Sequence, residues 1–231
     1  MSLTVAVIPA FNEEKRVALA VQDALSACGA VVVVDDCSTD RTNQTAYAAG
    51  AYVLRHVINR GQGAALETAS DFAVRNLGAD IVVHFDADGQ MTAADIPYMI
   101  EPILKDEADV VLGSRFMGKE VENMPASRRA VHVGARLFTL LMSGIRLTDT
   151  HNGFRALSKD SAKKLRISLD RMAHASEILD LIAARRLRVV ERPVTIKYTE
   201  DTLEKSLKIQ GGSIARTIRI VKDLIKKRLI G

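Results

Sequence analysis

Two aspartates one residue apart, Asp86 and Asp88, followed by Gly89 and Gln90, are the residues of this chain whose types and spacing most directly imply chemistry. Carboxylates aimed at one point repel each other unless a cation lies between them. The oxygen-only set of Asp86, Asp88 and the Gln90 amide suits a hard divalent ion, Mg2+ or Mn2+, usually completed by substrate phosphates. The alternative is a solvated acidic turn that caps the helix beyond it. The preceding run Ile81-Val82-Val83-His84-Phe85 is short, apolar and rich in β-branched residues, so it reads as a buried strand. Side chains alternate along a strand, but where a strand gives way to a turn, acids at i and i+2 can converge.

The elements around this turn follow a regular order. Leu3 to Ile8 reads as a buried strand stopped by Pro9, and Ala10-Phe11-Asn12-Glu13-Glu14 as the opening of a helix carrying Val17, Ala20, Val21 and Leu25. Ala30 to Val34 is a second strand ending in Asp35-Asp36, with Ser38-Thr39-Asp40 placed to cap a helix running to about Gly50. A third strand, Tyr52 to His56, leads through Asn59-Arg60-Gly61-Gln62-Gly63 into a helix over roughly Ala64 to Asn76. After the strand at Ile81 come a helix from about Ala93 to Leu104 and a fifth strand, Val110 to Leu112, ending at Gly113-Ser114-Arg115. Such β-α alternation with continuous apolar strands implies an α/β fold: a mostly parallel, Rossmann-like sheet with helices on both faces. Ligands of open α/β sheets bind at the carboxyl ends of the strands. Asn12 and Glu13, Asp35 and Asp36, residues 59–63, Asp86 to Gln90 and Arg115 should therefore gather around one crevice.

The bulk properties narrow the class. A chain of 231 residues with 48% hydrophobic and 26% charged residues can bury a sizeable core and is neither disordered nor of low complexity. No apolar run is long enough to span a bilayer, and no signal-type N-terminus is present. Cys28 and Cys37 form neither a disulfide framework nor a metal cluster, and reduced thiols of a cytoplasmic protein are expected. A net charge of +4 is modest and does not argue for a nucleic-acid partner. A dinucleotide fingerprint is excluded, because Pro-Ala-Phe-Asn-Glu follows the first strand where glycines are needed, and no Walker A or nucleophile-elbow pattern occurs.

The motifs PAFNEE, VDDCSTDRT, NRGQGAA, DADGQ, GSR and DTHNGFRA occur in that order, spanning Val5 to about Arg155 and, more loosely, reaching Lys208. Together they resemble family 2 glycosyltransferases of GT-A fold, in the branch that moves sugars onto polyprenyl or dolichyl phosphate, as dolichol-phosphate mannosyltransferases do. The resemblance implies that Pro9, Ala10, Phe11, Asn12 and Glu13 line the base and ribose of a nucleotide-sugar and that Asp35 or Asp36 hydrogen-bonds the base. It implies further that Arg60, Gly61 and Ala87 contact the donor and that Asp86, Asp88 and Gln90 hold a metal against its diphosphate. Plainer readings exist for several of these residues: first-turn helix electrostatics for Glu13, helix initiation for Asp36, a solvated loop arginine for Arg60. Arg115 follows a strand and a Gly-Ser pair and is placed to reach a phosphate bidentately; a surface salt bridge is its alternative.

Beyond the sheet, Arg128 to Leu147 reads as a helix combining Arg128, Arg129 and Arg136 with an apolar stripe that can pack on the sheet; the resemblance implies that this region approaches the membrane and a lipid acceptor. In Thr148 to Arg155, Asp149 is the candidate general base or acceptor-orienting group and Arg155 the candidate for the acceptor phosphate, whereas His151 reads as a loop histidine. An acceptor hydroxyl needs a base. A polyprenyl phosphate is already anionic and needs only positioning and charge neutralisation. Ala175 to Leu179 opens a helix, and Val189 to Tyr198 is a late strand that Pro193 assigns to an edge. Thr202 to Lys208 departs from the relatives' Gly-Glu-Ser-Lys pattern, which leaves a phosphate role for Lys205 or Lys208 open. From Gly211 the sequence resembles a basic amphipathic helix, with Ile214, Ile218, Val221, Ile225 and Leu229 on one stripe, fit for an anionic membrane surface or for docking on the domain.

The expected organisation is a GT-A domain over residues 1–210, with a nucleotide-sugar half at about 1–117 and an acceptor half at about 118–210, followed by the amphipathic helix at 211–231. The expected activity is inverting, metal-dependent transfer of a hexose from GDP-mannose or UDP-glucose to a polyprenyl or dolichyl phosphate, peripherally at the cytoplasmic face of a membrane or with a membrane subunit. A soluble sugar or protein acceptor is one alternative. A non-catalytic nucleotide-sugar-binding subunit of a membrane complex is another.

Overall fold

Valine-rich runs too short for helices become strands: β1 (Thr4–Ala10), β2 (Ala30–Asp35), β3 (Tyr52–Arg55), β4 (Ile81–His84), β5 (Val110–Ser114), β6 (Arg155–Ser158) and β7 (Val189–Pro193). The computed structural model, which describes residues 2–117, 147–150, 152–168 and 174–197, joins them in one seven-stranded sheet of order β3-β2-β1-β4-β6-β5-β7. Neighbours are parallel except around β6, which runs antiparallel to both β4 and β5. The helices are α1 (Val17–Leu25), α2 (Thr42–Ala48), α3 (Gln62–Arg75), α4 (Ile96–Leu104), α5 (Lys159–Lys164) and α6 (His174–Ala184). The helices expected over 128–147 and 211–231 lie outside the described residues, as do His151, Tyr198 and the 202–208 stretch.

The alternation of strand side chains divides the interior into two cores. One holds Ile8, Val83, Phe85 and Phe154 against Val17 and Val21 of α1 and Ile96 and Met99 of α4. The other holds Val7, Val82 and Leu157 against Leu66 and Ala69 of α3 and Ile178 and Ile182 of α6. Burial on both faces explains the continuous rather than alternating apolar runs. The buried Cys28 belongs to the first core, and burial pushes its thiol up to about 12, so it is inert at neutral pH.

Three local differences from the sequence expectation have physical reasons. Pro9 does not stop β1, which continues in register with β2 as far as Ala10 opposite Asp35. Pro9 lies on the side of β1 that faces β4, and the last bond there is from the Phe85 amide to the Val7 carbonyl, so its missing N–H interrupts no ladder. No helix opens at residues 10–14; α1 begins at Val17, because Asn12 takes a left-handed φ of 54° and its neighbourhood is bound to the loop after β2. α3 begins at Gln62, two residues earlier than expected, since Gly61 supplies the φ of 89° from which the chain turns into the helix.

β6 is the strand that shapes the rim. The other six strands end at one edge of the sheet, while the antiparallel β6 starts there, so its first residue, Arg155, comes up beside His84 and Leu112. β7 takes an outer position next to β5, in keeping with Pro193 at an edge. It ends at Pro193 instead of running on toward Tyr198, because its partner β5 ends at Ser114 directly opposite. Directly below the rim, Phe85 and Phe154 meet edge to face with ring centroids 5.7 Å apart, both fully buried. Each immediately precedes or follows a rim residue, so this pair is the floor on which Asp86 and Arg155 stand. Phe154→Ala is expected to lower unfolding stability by about 3–5 kcal/mol, read as a lower midpoint in urea denaturation.

Candidate active site

Asp86 leaves the end of β4 on the α3 side, where the Gln62 side chain donates to its Oδ1 at 2.9 Å. Burial pushes the Asp86 carboxyl up to about 7; repulsion from Asp88 adds to the rise, and Arg155 and the Gln62 hydrogen bond oppose it. Asp88 Oδ1 accepts the Gln90 amide at 3.0 Å, which closes the turn, and Gly89 supplies its φ of 75°. A Cβ at Gly153 would stand 2.8 Å from Asp86 Oδ2 and 3.2 Å from the Met91 methyl, so the absence of a side chain there leaves Asp86 its place. Among the described residues no group of three or more His, Cys, Asp or Glu side chains forms a metal cage. Two carboxylates in mutual repulsion, with an amide beside them, fit a hard divalent ion of the kind that takes one or two protein carboxylates and completes its shell from phosphate and water.

Arg155 stands beneath this turn rather than on the surface. It is only 3% exposed, and burial lowers its guanidinium to about 10, with Asp86 and then Asp149 pulling in the opposite direction. One of its terminal nitrogens is buried without a hydrogen-bond partner. His84, opposite it in the β4–β6 register, is held far below the ordinary imidazole range by burial, by Arg155 and by His174. A neutral histidine beside a buried arginine leaves Arg155 as the fixed positive charge between two carboxylates. It balances the acidic turn from within and is not exposed to a large acceptor.

Arg115, at the end of β5, is gripped by Asp149. Its Nε donates to Asp149 Oδ2 at 2.6 Å, a terminal nitrogen to Oδ1 at 2.9 Å, and its own amide to Oδ2 at 3.2 Å. The Asp149 side chain is fully buried and that of Arg115 is 26% exposed. The fork-to-fork geometry sets the guanidinium plane while part of it still faces outward. What the structure shows of Asp149 is therefore a bidentate partner of Arg115.

The donor half of the rim is tied together by short polar links. Ser38 Oγ accepts the Asn12 amide at 2.9 Å, Asn12 Oδ1 accepts the Thr39 amide at 2.9 Å, and Thr42 Oγ1 accepts the Glu13 amide at 2.8 Å. Asp40 takes the Thr42 amide at 2.9 Å and the Glu14 amide at 3.2 Å, so these residues bridge the β1 and β2 loops as well as starting α2. Glu13 also pairs with Arg16 at 2.8 Å. Asp36 is occupied by its own neighbourhood: Oδ1 accepts from the Arg60 amide at 3.0 Å and from His56 Nδ1 at 2.7 Å, and Oδ2 accepts from the Gly61 amide. Asp35 gives Oδ1 to the Ser38 amide at 2.9 Å; its buried Oδ2 has no hydrogen bond and lies 3.4 Å from Arg55 Nε. Of the two acids, Asp35 retains the spare acceptor. Pro9 and Ala10 end β1 at this rim, Phe11 is partly exposed beside them, and Ala87 is buried in the acidic turn.

The family model for glycosyl transferase family 2 matches residues 5–166, a span that contains every site residue named above. The chain belongs to glycosyl transferase family 2. Its sequence is 32% identical over 227 residues to the UDP-N-acetylglucosamine--dolichyl-phosphate N-acetylglucosaminyltransferase of Methanococcus voltae, covering 89% of this chain and 90% of that protein. It is 29% identical over 224 residues to the undecaprenyl-phosphate mannosyltransferase of Micrococcus luteus, covering 92% and 89%. A solved structure of glucosyl-3-phosphoglycerate synthase from Mycobacterium tuberculosis, with Mn2+, uridine diphosphate and phosphoglyceric acid, superposes with a TM-score of 0.67 at 19% identity over 95% of this chain and 78% of that one, which shows the shared GT-A fold.

Two residues that pack on Asp86 carry no signal in the sequence, Gln62 and Gly153. Gln62 sits between two glycines in the loop that leads into the helix, and the early start of α3 turns its amide onto Asp86. Gly153 is hidden in a motif whose charged neighbours draw attention first. Gly153→Ala forces Asp86 aside and is expected to weaken manganese-dependent nucleoside diphosphate binding by about 10-fold or more. Calorimetric titration reads this, with an unchanged far-ultraviolet circular dichroism spectrum showing that the fold persists.

Proposed function

We propose that this glycosyltransferase moves a hexose from a nucleotide-sugar to the phosphate of a polyprenyl or dolichyl lipid, with inversion, in a reaction that uses Mg2+ or Mn2+. The carrying observation is the pairing, on one rim, of the Asp86–Asp88 turn with the partly exposed Arg115 guanidinium, whose orientation Asp149 fixes. Asp86, Asp88 and Gln90 would hold the divalent ion, which supplies neutralisation of the charge that grows on the departing diphosphate. Asp35 and the loop around Asn12 and Glu13 would receive the nucleoside. Arg115, aimed by Asp149, would hold the acceptor phosphate in line with the anomeric carbon. An acceptor phosphate oxygen forms the new bond to that carbon from the face opposite the leaving group. The bond to the diphosphate breaks, and its electron pair departs with the nucleoside diphosphate.

Asp149 already accepts three N–H groups from Arg115, which favours an acceptor that needs no base to remove a proton. The relatives point the same way, since the names of the Methanococcus voltae and Micrococcus luteus proteins specify dolichyl and undecaprenyl phosphate acceptors. GDP-mannose is the first donor to test and UDP-glucose the second. A lipid acceptor brings the rim to a membrane surface, through contact with lipid or with a membrane subunit. Among the described residues no helix is long and apolar enough to cross a membrane.

A thermal-shift panel of GDP-mannose, UDP-glucose and UDP-N-acetylglucosamine with and without Mn2+ should give one donor that stabilises the protein only with metal. Asp88→Ala should erase that metal-dependent shift. Radiolabelled sugar should move to polyprenyl phosphate and not to the matching polyprenol; equal labelling of both would overturn the phosphate reading. Asp149→Asn, which disturbs the Arg115 clamp without removing a required base, should reduce transfer by about 10- to 100-fold and leave measurable product. A variant with no product at all would favour Asp149 as a base.

A further inference from the structure

Glu191, in the middle of β7, lies opposite Leu112 in the register with β5, two positions before the end of that strand. Its carboxylate turns to the segment that carries Asp149. Both oxygens accept from the Thr148 amide at 2.9 Å, Oε1 accepts from the Thr148 hydroxyl at 2.9 Å, and the same oxygen accepts from the Asp149 amide at 3.2 Å. Because Thr148 spends its proton on Glu191, its oxygen is left to accept from the Ser114 hydroxyl at 2.6 Å, and Ser114 Oγ accepts the Phe116 amide at 3.1 Å. One carboxylate thus sets the direction of a chain of hydrogen bonds that ends on the residue after Arg115. The same carboxylate fixes the backbone of Asp149, whose side chain grips Arg115. Both flanks of Arg115 are therefore referred back to Glu191.

We propose that Glu191 is a positioning residue for Arg115, holding the 148–149 segment so that the guanidinium keeps one orientation toward the phosphate it binds. The inference rests on the phosphate-binding role proposed for Arg115. A charged acceptor is needed because two amides and a hydroxyl converge on it, and a carboxylate takes them all without rearrangement. A glutamine offers a single oxygen and brings an amino group that faces the same donors.

The test compares the full chain with Glu191→Ala, Glu191→Gln, Arg115→Ala and the double variant Glu191→Ala/Arg115→Ala. Acceptor kcat/KM is expected to fall about 10- to 100-fold in Glu191→Ala and less in Glu191→Gln, with the double variant no worse than Arg115→Ala, because Glu191 acts only through that arginine. Losses that multiply in the double variant overturn the proposal. An independent readout is the 15Nε resonance of Arg115, assigned by its disappearance in Arg115→Ala. The clamp should give a shifted, slowly exchanging signal in the wild-type chain, moving to the free-arginine position in Glu191→Ala or, if that variant does not fold, in Glu191→Gln. A signal unmoved by the substitution that folds also overturns it. A wild-type chain that transfers sugar to no phosphate acceptor, yet shows the displaced arginine signal, sinks the proposed reaction and leaves the positioning role standing.

Discussion

The structure turns on the confinement of negative charge at the end of β4. A carboxylate placed against a protein wall loses hydration, and a second carboxylate two residues on adds repulsion, so Asp86 sits with its carboxyl pushed up to about 7. Three features have been built around it: the Gln62 amide from the first turn of α3, the buried Arg155 at the start of β6, and the bare backbone of Gly153. Together they hold Asp86 in place, with Arg155 offsetting part of its charge from beneath. That combination is a stability cost concentrated at one point, which is the usual mark of a functional site.

The antiparallel strand β6 is what makes this possible. In an all-parallel sheet every strand would reach the rim with its carboxyl end, and a strand between β4 and β5 would bring its last residue and the loop beyond it. Running the other way, β6 delivers the loop before it, so that Thr148, Asp149, Gly153 and Arg155 all meet the ends of β4 and β5. Arg155 then lies between two anionic groups, the acidic turn on one side and the Asp149 partner of Arg115 on the other. The Asp86 turn and the Asp149–Arg115 pair are thereby electrostatically linked through one buried cation.

How much of this is legible in the sequence follows the range of the forces involved. The β-α alternation, the buried strands and the gathering of polar loops at one rim are readable because hydrophobic periodicity and strand-end chemistry are local. The family resemblance carried by six short motifs agrees with the match over residues 5–166. What escaped depended on partners far along the chain. Whether Pro9 ends a strand is decided by where β4 stops, some seventy-five residues later. Whether Ser38 caps its own helix is decided in part by Asn12, whose amide it takes. The amides of Arg60 and Gly61 that Asp36 holds lie some twenty-five residues on, a link with no local signal. The direction of β6 leaves no local signature, since a short apolar strand reads the same both ways.

An enzyme that must hold two polyanions together faces their mutual repulsion as well as the barrier of the reaction. Under the proposed reading the rim answers with two cationic devices of different kinds. The donor side presents carboxylates and therefore accepts its diphosphate only together with a divalent ion, so that donor and charge neutralisation arrive together. The acceptor side presents an arginine, a charge carried by the chain itself and whose fork is set by a buried partner. Exchanging the two would fail physically. A second bare arginine in place of the acidic turn would hold nucleoside diphosphate as product with a charge that cannot depart, and a second acidic turn in place of Arg115 would repel an acceptor phosphate whenever its ion was absent. Under the proposed reading, the asymmetry between the Asp86–Asp88 turn and the Arg115–Asp149 clamp would let one rim serve a leaving diphosphate and an attacking phosphate in the same turnover.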